Sequence, residues 1–475
     1  MYRVLWALGI SVLVLLLAGF VVLASAGGEN GMRFYKSEYV FLVRQAIWLA
    51  VSLPLMYVAI RFDYHKWRDL PWLTIAAYLV VLVLLVAVLI YGRETKGSRR
   101  WLGYGMIRLQ PSELAKLVVV IATSVYLDCK GRQLKKFVKG ALGAALIVGL
   151  PVALVLKEPD FGATFVIGAA GVSLFLLAGM RLVHIGLFVC AGALLFGTLL
   201  ALNPNRMNRI NSWVRSSFQT SDIPEVEVEK SAADSVAELK RIADSPQPAV
   251  AAVATRARTA MKAVKDVQDY EKGRAMEEGI QAVLKGVAMR LQAEPPSFAA
   301  LRNDLRQQIR SRDREKAAAH QRDHSLVAIK RGGLTGVGFY ESKQKRKFLP
   351  EAHTDFIFAI GAEEWGLGFS LGLLFAFTVF FACGMIIAAR ADSLGRMLAY
   401  GMSLLVYSQA LINLWVVTGC APTKGIALPF ISYGGTNLLT AMIAVGFLFN
   451  VGRQIGLQTP RPKSRISAVF PSKGV

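Results

Sequence analysis

The chain has 475 residues, 54% of them hydrophobic, and a formal net charge of +23. The apolar residues come in blocks long enough to cross a bilayer, roughly 20 residues each, which excludes an ordinary soluble domain. In such a chain the positive charge reads first as cytoplasmic loops facing anionic lipid rather than as a nucleic-acid surface. Four scattered cysteines, Cys129, Cys190, Cys383 and Cys420, show no CxxC or His pairing and argue against a disulfide framework or a zinc site.

The first block, from Val4 to about Ala26, lacks a small-residue cleavage context and reads as a retained helix, with a signal peptide as the alternative. Spans are predicted near 4–26, 41–60, 72–91, 112–128, 139–156, 161–179, 183–201, 364–389, 398–418 and 431–451. This is an all-α polytopic membrane protein of about ten transmembrane helices, with a large loop after helix 7. Basic residues fix the orientation. Arg61, Lys66 and Arg68, then Lys130, Arg132, Lys135, Lys136 and Lys139, then Arg390 and Arg396 share one side with both termini. That side is expected to be the cytoplasm. The predicted organisation is therefore spans 1–7 with the start of the outer loop (1–219), an insert (220–320), the rest of the loop with spans 8–10 (321–452), and a basic cytoplasmic tail (453–475).

Residues 220–320 have a different texture. They hold roughly 17 basic and 16 acidic residues, so the excess charge lies elsewhere. Ala-rich stretches with helical spacing, punctuated by Ser245-Pro246 and Pro295-Pro296, predict a soluble insert of three or four helices, either a solvated spacer or a docking module.

Basic residues on the outer side run against the usual charge bias and are informative. The loop after span three carries Arg93, Lys96, Arg99 and Arg100, followed by Trp101, and Lys424 sits in the last outer loop. Arginine forks suit phosphate oxygens, and an indole suits the interface beside a lipid chain. Ordinary headgroup contact is the competing reading. Glu113 and Lys116 lie one turn apart in span four and can pair within the helix. Asp160, after Glu158-Pro159, suits a turn or helix cap. Asp355, where the outer loop enters span eight, suits either a general base or a helix cap.

Four strings then resemble a known family. They are Lys96-Gly97-Ser98-Arg99-Arg100-Trp101 with Gln110-Pro111-Ser112-Glu113-Leu114-Ala115-Lys116; Glu158-Pro159-Asp160-Phe161-Gly162; Gly332-Gly333-Leu334 through Leu349-Pro350-Glu351-Ala352-His353-Thr354-Asp355-Phe356; and Pro422-Thr423-Lys424-Gly425 with Pro429-Phe430-Ile431-Ser432-Tyr433-Gly434-Gly435. The chain resembles the SEDS (shape, elongation, division and sporulation) peptidoglycan glycosyltransferases, and its division-type members more than its elongation-type ones. The insert exceeds the family's usual outer loop, and Lys330-Arg331 stands where small residues are usual.

The resemblance implies polymerisation of lipid II, a disaccharide-pentapeptide on undecaprenyl pyrophosphate, in septal wall synthesis at the bacterial inner membrane. It implies Asp355 as catalytic base. Arg93, Lys96, Arg99 and Arg100, with Trp101 and Lys424, become candidates for the pyrophosphate and lipid. Glu113, Lys116, Asp160 and His353 would support them. The charge on the leaving group is met with or without a divalent cation (Mg or Mn), and no metal cage is visible in the sequence. The implied partners are a class B penicillin-binding protein transpeptidase and other division membrane proteins. The competing functions are a lipid II flippase, which needs charges recurring along several spans, and a non-catalytic scaffold for a transpeptidase.

Overall fold

The computed structural model describes residues 1–475 apart from 96–97, 104–107, 202–224, 246–248, 266, 268–269, 293–294, 346–348, 350–351, 423–424 and 458–475. It divides into two compact units, Met1–Gly197 with His324–Val475, and Thr198–Asp323.

The first unit is a helical membrane bundle. Its helices are α1 (Tyr2–Tyr35), α2 (Val40–Arg61), the short α3 (Lys66–Asp69), α4 (Pro71–Tyr91), α5 (Pro111–Lys130), α6 (Leu142–Lys157), α7 (Phe161–Leu177) and α8 (Leu182–Ala201) before the insert. After it come α13 (Ile357–Arg390), α14 (Ser393–Val417) and α15 (Gly435–Leu457). Apart from α3, these answer the ten predicted spans. Seven of the described helices are long and apolar enough to cross a bilayer by length and composition, while Phe161–Leu177 and Leu182–Thr198 are shorter apolar helices. α5 is the amphiphilic one, because it carries Glu113, Lys116, Asp128 and Lys130. It tolerates them by being central: it packs against α4, α6, α7, α14 and α15, and fourteen of its 20 residues are buried. α4 is the opposite case, with only Thr74, Val81, Leu85 and Val88 buried and its other apolar side chains partly or fully exposed, as suits a lipid-facing helix.

Two boundaries differ from the sequence reading. The eighth span starts at Ile357 rather than near 364, with a break at Gly366 (φ 71°). The sequence reading leaves Glu363 in the outer loop and Glu364 at the first position of the span, yet both are fully buried. The last span begins at Gly435 rather than 431, because residues 429–433 form a turn with Phe430 in the left-handed region. A β-hairpin of Arg93–Thr95 (β1) and Ser98–Trp101 (β2) is the one strand element among the described residues, and periodicity over so short a loop could not announce it.

The second unit contains α9 (Glu225–Ala243), α10 (Val250–Lys265), α11 (Tyr270–Arg290) and the first part of α12 (Pro296–Gly332). Its core gathers side chains at helical spacing, among them Val236, Leu239, Val253, Ala257, Leu284 and Leu305. Arg312 reaches buried Glu277 (3.1 Å) and donates to the carbonyls of Val264 (2.7 Å) and Val267 (2.8 Å), so one side chain caps the C-terminal end of α10 and pairs with one oxygen of a buried acid.

Candidate active site

The described residues of the four sequence strings are tied to one another by main-chain and side-chain hydrogen bonds. Asp355 lies in a turn that leads directly into α13. Each carbonyl around it is taken: His353 O accepts from Tyr433 N (3.0 Å), Thr354 O from Ser432 Oγ (2.6 Å), and Asp355 O from Asn413 Nδ2 (2.9 Å). The Asp355 turn is thereby fastened to loop 425–434. The carboxylate lies over Gly425, where an added methyl would fall 2.8 Å from Asp355 Oδ2.

Upstream, the segment 332–345 lies along the first turns of α13. Glu363 accepts from Arg331 Nη1 (2.8 Å), Lys343 N (3.1 Å), Gln344 N (3.3 Å) and Ser342 Oγ. Glu364 pairs with Lys345 Nζ (3.0 Å) and accepts from Ser25 of α1. Gly366 permits this close approach, since a Cβ there would stand 2.5 Å from Gly336 N. Buried Lys345 is thus part of the scaffold, although the predicted organisation places it in the outer loop.

Asp160 caps α7 by accepting from Ala163 N (3.2 Å), and its other oxygen accepts from Gln110 Nε2 (2.8 Å) and Ser112 Oγ (3.2 Å). The cap thereby ties the start of α5 to the start of α7. Glu113 and Lys116 pair within α5 at 2.7 Å, with Lys116 also donating to Gln409 Oε1 of α14 (2.6 Å) and Glu113 accepting from Thr440 of α15 (3.4 Å). The ring of His353 packs on Phe41 with centroids 4.3 Å apart and is tilted towards Tyr433.

The hairpin separates its two arginines. Arg99 is exposed. Arg100 is half-buried and turns its guanidinium onto the carbonyls of Glu158 (3.3 Å) and Pro159, clamping the tight turn between α6 and α7. Trp101 pairs across the hairpin with Arg93, whose side chain lies outside the described residues. Lys96 and Lys424 also lie outside the described residues.

Sequence reasoning passed over four features. Gly425 gave no signal, because a glycine in a loop has many uses. Gln409 and Asn413 did carry one: two carboxamides four residues apart in an apolar span belong on an interior face. Glu158 is the fourth. Its side chain is 1% exposed and neither carboxylate oxygen has a hydrogen-bond partner among the described residues. Burial, together with Asp160, pushes the carboxyl up to about 8 against a smaller opposing pull from Arg100. The folded protein therefore holds this proton between the unfolded value of 4.5 and about 8, where the unfolded chain has released it. Stability should accordingly fall as pH rises through that window. Thermal melting in detergent from acid to mildly alkaline pH checks this: the wild type is expected to lose melting temperature on the alkaline side, and Glu158→Gln to flatten the slope.

Comparison with known proteins agrees with this fold. The family model for cell cycle proteins of the FtsW, RodA and SpoVE group matches residues 6–222 and 302–456. A Coxiella burnetii protein named probable peptidoglycan glycosyltransferase FtsW is 30% identical over 449 residues, covering 93% of this chain and 94% of its own. A protein of the same name from Marinobacter nauticus is 28% identical over 441 residues, covering 92% and 86%. Among solved structures, a chain from a study of the structural coordination of polymerization and crosslinking by a peptidoglycan synthase complex has TM-score 0.58 at 22% identity, covering 94% of this chain and 97% of its own. The Thermus thermophilus rod shape determining protein RodA has TM-score 0.55 at 21% identity, covering 94% and 96%.

Proposed function

We propose that this chain, which belongs to the cell cycle protein family of FtsW, RodA and SpoVE, is a membrane-embedded peptidoglycan glycosyltransferase that polymerises lipid II in septal wall synthesis. The observation that carries the reading is the convergence on one carboxylate: the Asp355 turn and loop 425–434 are hydrogen-bonded together, with Gly425 directly under the acid. The names of the FtsW relatives support the activity, and their 30% and 28% identity over most of the chain supports the division role.

The chemistry asks for few groups. A sugar hydroxyl attacks the anomeric carbon of a second lipid II, the bond to pyrophosphate breaks with inversion, and a base takes the hydroxyl proton. Asp355 is that base. Positive charge on the departing pyrophosphate comes from the outer basic cluster, in which exposed Arg99 is the available fork, with Arg93, Lys96 and Lys424 completing the cluster and Trp101 beside the lipid. Arg100 acts one step back, by holding the Glu158-Pro159 turn. Among the described residues no three His, Cys, Asp or Glu side chains come together. The described residues thus form no cage of their own for a Mg or Mn ion, which, when bound, would add positive charge to the leaving group.

The protein is a multi-pass membrane protein. The basic loops support the bacterial cytoplasmic membrane with both termini inside and the site outside. There it would work with a class B penicillin-binding protein transpeptidase and other division membrane proteins.

The two arginines should behave differently. Arg99→Ala is expected to raise KM for lipid II about tenfold with an unchanged melting temperature, as loss of one charge-assisted contact implies. Arg100→Lys should lower the melting temperature, because a point charge cannot bridge two carbonyls as a fork does. Polymerisation of lipid II by the purified protein, with and without a transpeptidase, tests the activity itself. Absence of glycan product under both conditions would refute it.

A further inference from the structure

α14 carries Gln409 and Asn413 one turn apart, 2% and 1% exposed, in the interior of the bundle. A carboxamide in such a place is costly unless its polar atoms are answered. Here the answers come from the candidate active site. Asn413 Nδ2 donates to Asp355 O (2.9 Å) and to Ile426 O (2.7 Å), so one amide group joins the turn of the base to the loop beneath it. Gln409 Nε2 donates to Ala427 O (2.9 Å), the next carbonyl of the same loop, and to Asn437 Oδ1 (2.8 Å).

Lys116 fixes the direction of this arrangement. An ammonium has no acceptor, so the oxygen of Gln409 must face Lys116 Nζ (2.6 Å) and its nitrogen must face the loop. Glu113, 2.7 Å from Lys116, balances the charge. Asn413 has no such freedom either: two carbonyls use both of its hydrogens, and its Oδ1 has no partner among the described residues. Both side chains are thus held as donors towards backbone carbonyls of the site. An apolar side chain of similar volume would fill the same space, yet it would leave three carbonyls unanswered.

We propose that Asn413 and Gln409 are positioning residues for glycosyl transfer, through which the buried Glu113–Lys116 pair sets the placement of Asp355 over residues 425–427. The proposal rests on the reading of Asp355 as base. It explains why a charged pair is kept inside the bundle away from the reacting atoms: the pair orients Gln409, Gln409 holds Ala427, and Asn413 holds Ile426 and Asp355.

Asn413→Asp is close to isosteric and replaces the two donors by an oxygen facing two carbonyls. In the full-length protein acting on lipid II, kcat should fall about tenfold while KM stays unchanged, the pattern of lost transition-state placement. Gln409→Met, which does not touch Asp355, should lower kcat in the same way and to a smaller extent. Combining Gln409→Met with Lys116→Met should cost little more than either alone, because the two act in one chain. Wild-type kcat in both Asn413→Asp and Gln409→Met overturns the proposal, as does a rise in KM with kcat unchanged. If Asn413→Asp does not fold, Gln409→Met decides alone by the same criteria. Asp355→Asn is measured beside them. An active Asp355→Asn removes the base and this proposal together, whereas an inactive Asp355→Asn with wild-type kcat in the other two removes only this proposal.

Discussion

Asp355→Asn is expected to lower lipid II polymerisation by about a hundredfold or more, while the protein still folds, inserts and binds lipid II. Asparagine keeps the shape of aspartate and removes the ability to accept a proton. Three ties around position 355 are made by main-chain carbonyls and stay available after the change: His353 O to Tyr433, Thr354 O to Ser432, and Asp355 O to Asn413. None of those bonds uses the side chain being replaced. Loss of activity with a normal melting temperature and normal lipid II binding would place the defect in proton transfer. A purified variant that makes glycan of normal length at a normal rate would remove Asp355 from the mechanism.

The helices of the bundle were legible in the sequence because a bilayer imposes a length and an apolar composition on each of them. α1, α2 and α4 are cases where that rule alone suffices. The rule fails where burial inside protein replaces burial in lipid. The predicted span leaves Glu363 outside and starts at Glu364, yet the helix begins before them at Ile357, because Arg331 at the end of α12 and Lys345 of the loop that follows answer them. The outer basic cluster shows the same limit. Counting charges by side groups Arg99, Arg100 and Lys345 together. Folding gives them three fates: exposed, bound to backbone carbonyls, and buried against Glu364. Side-of-membrane arguments see the sign of a charge and not its partner. Pairing within one helix was readable, as for Glu113 and Lys116, because the spacing itself specifies the contact. The link from Lys116 to Gln409 spans 293 residues of chain and leaves no local trace.

Gly425→Ala is expected to lower kcat about a hundredfold, the usual cost of misplacing a reacting group by about 1 Å. Gly425 is not in the left-handed region, so the backbone accepts an alanine. Space is the difficulty. The new methyl would lie 2.8 Å from Asp355 Oδ2 and 3.6 Å from the carboxylate carbon, and the first of these is too short to keep. What yields is the far end of the Asp355 side chain, because the backbones on both sides are held, Asp355 O and Ile426 O by the same Asn413 amide. The fold therefore absorbs the change by moving the carboxylate, and the melting temperature should stay near that of the wild type. On an Asp355→Asn background the same alanine should cost almost nothing further, since a glycine that acts only through the carboxylate has nothing left to displace. The double-mutant comparison separates this from a general disturbance of the loop. A further large loss in Gly425→Ala combined with Asp355→Asn, or a Gly425→Ala single variant with wild-type kcat, would show that the carboxylate and the glycine do not work as one unit.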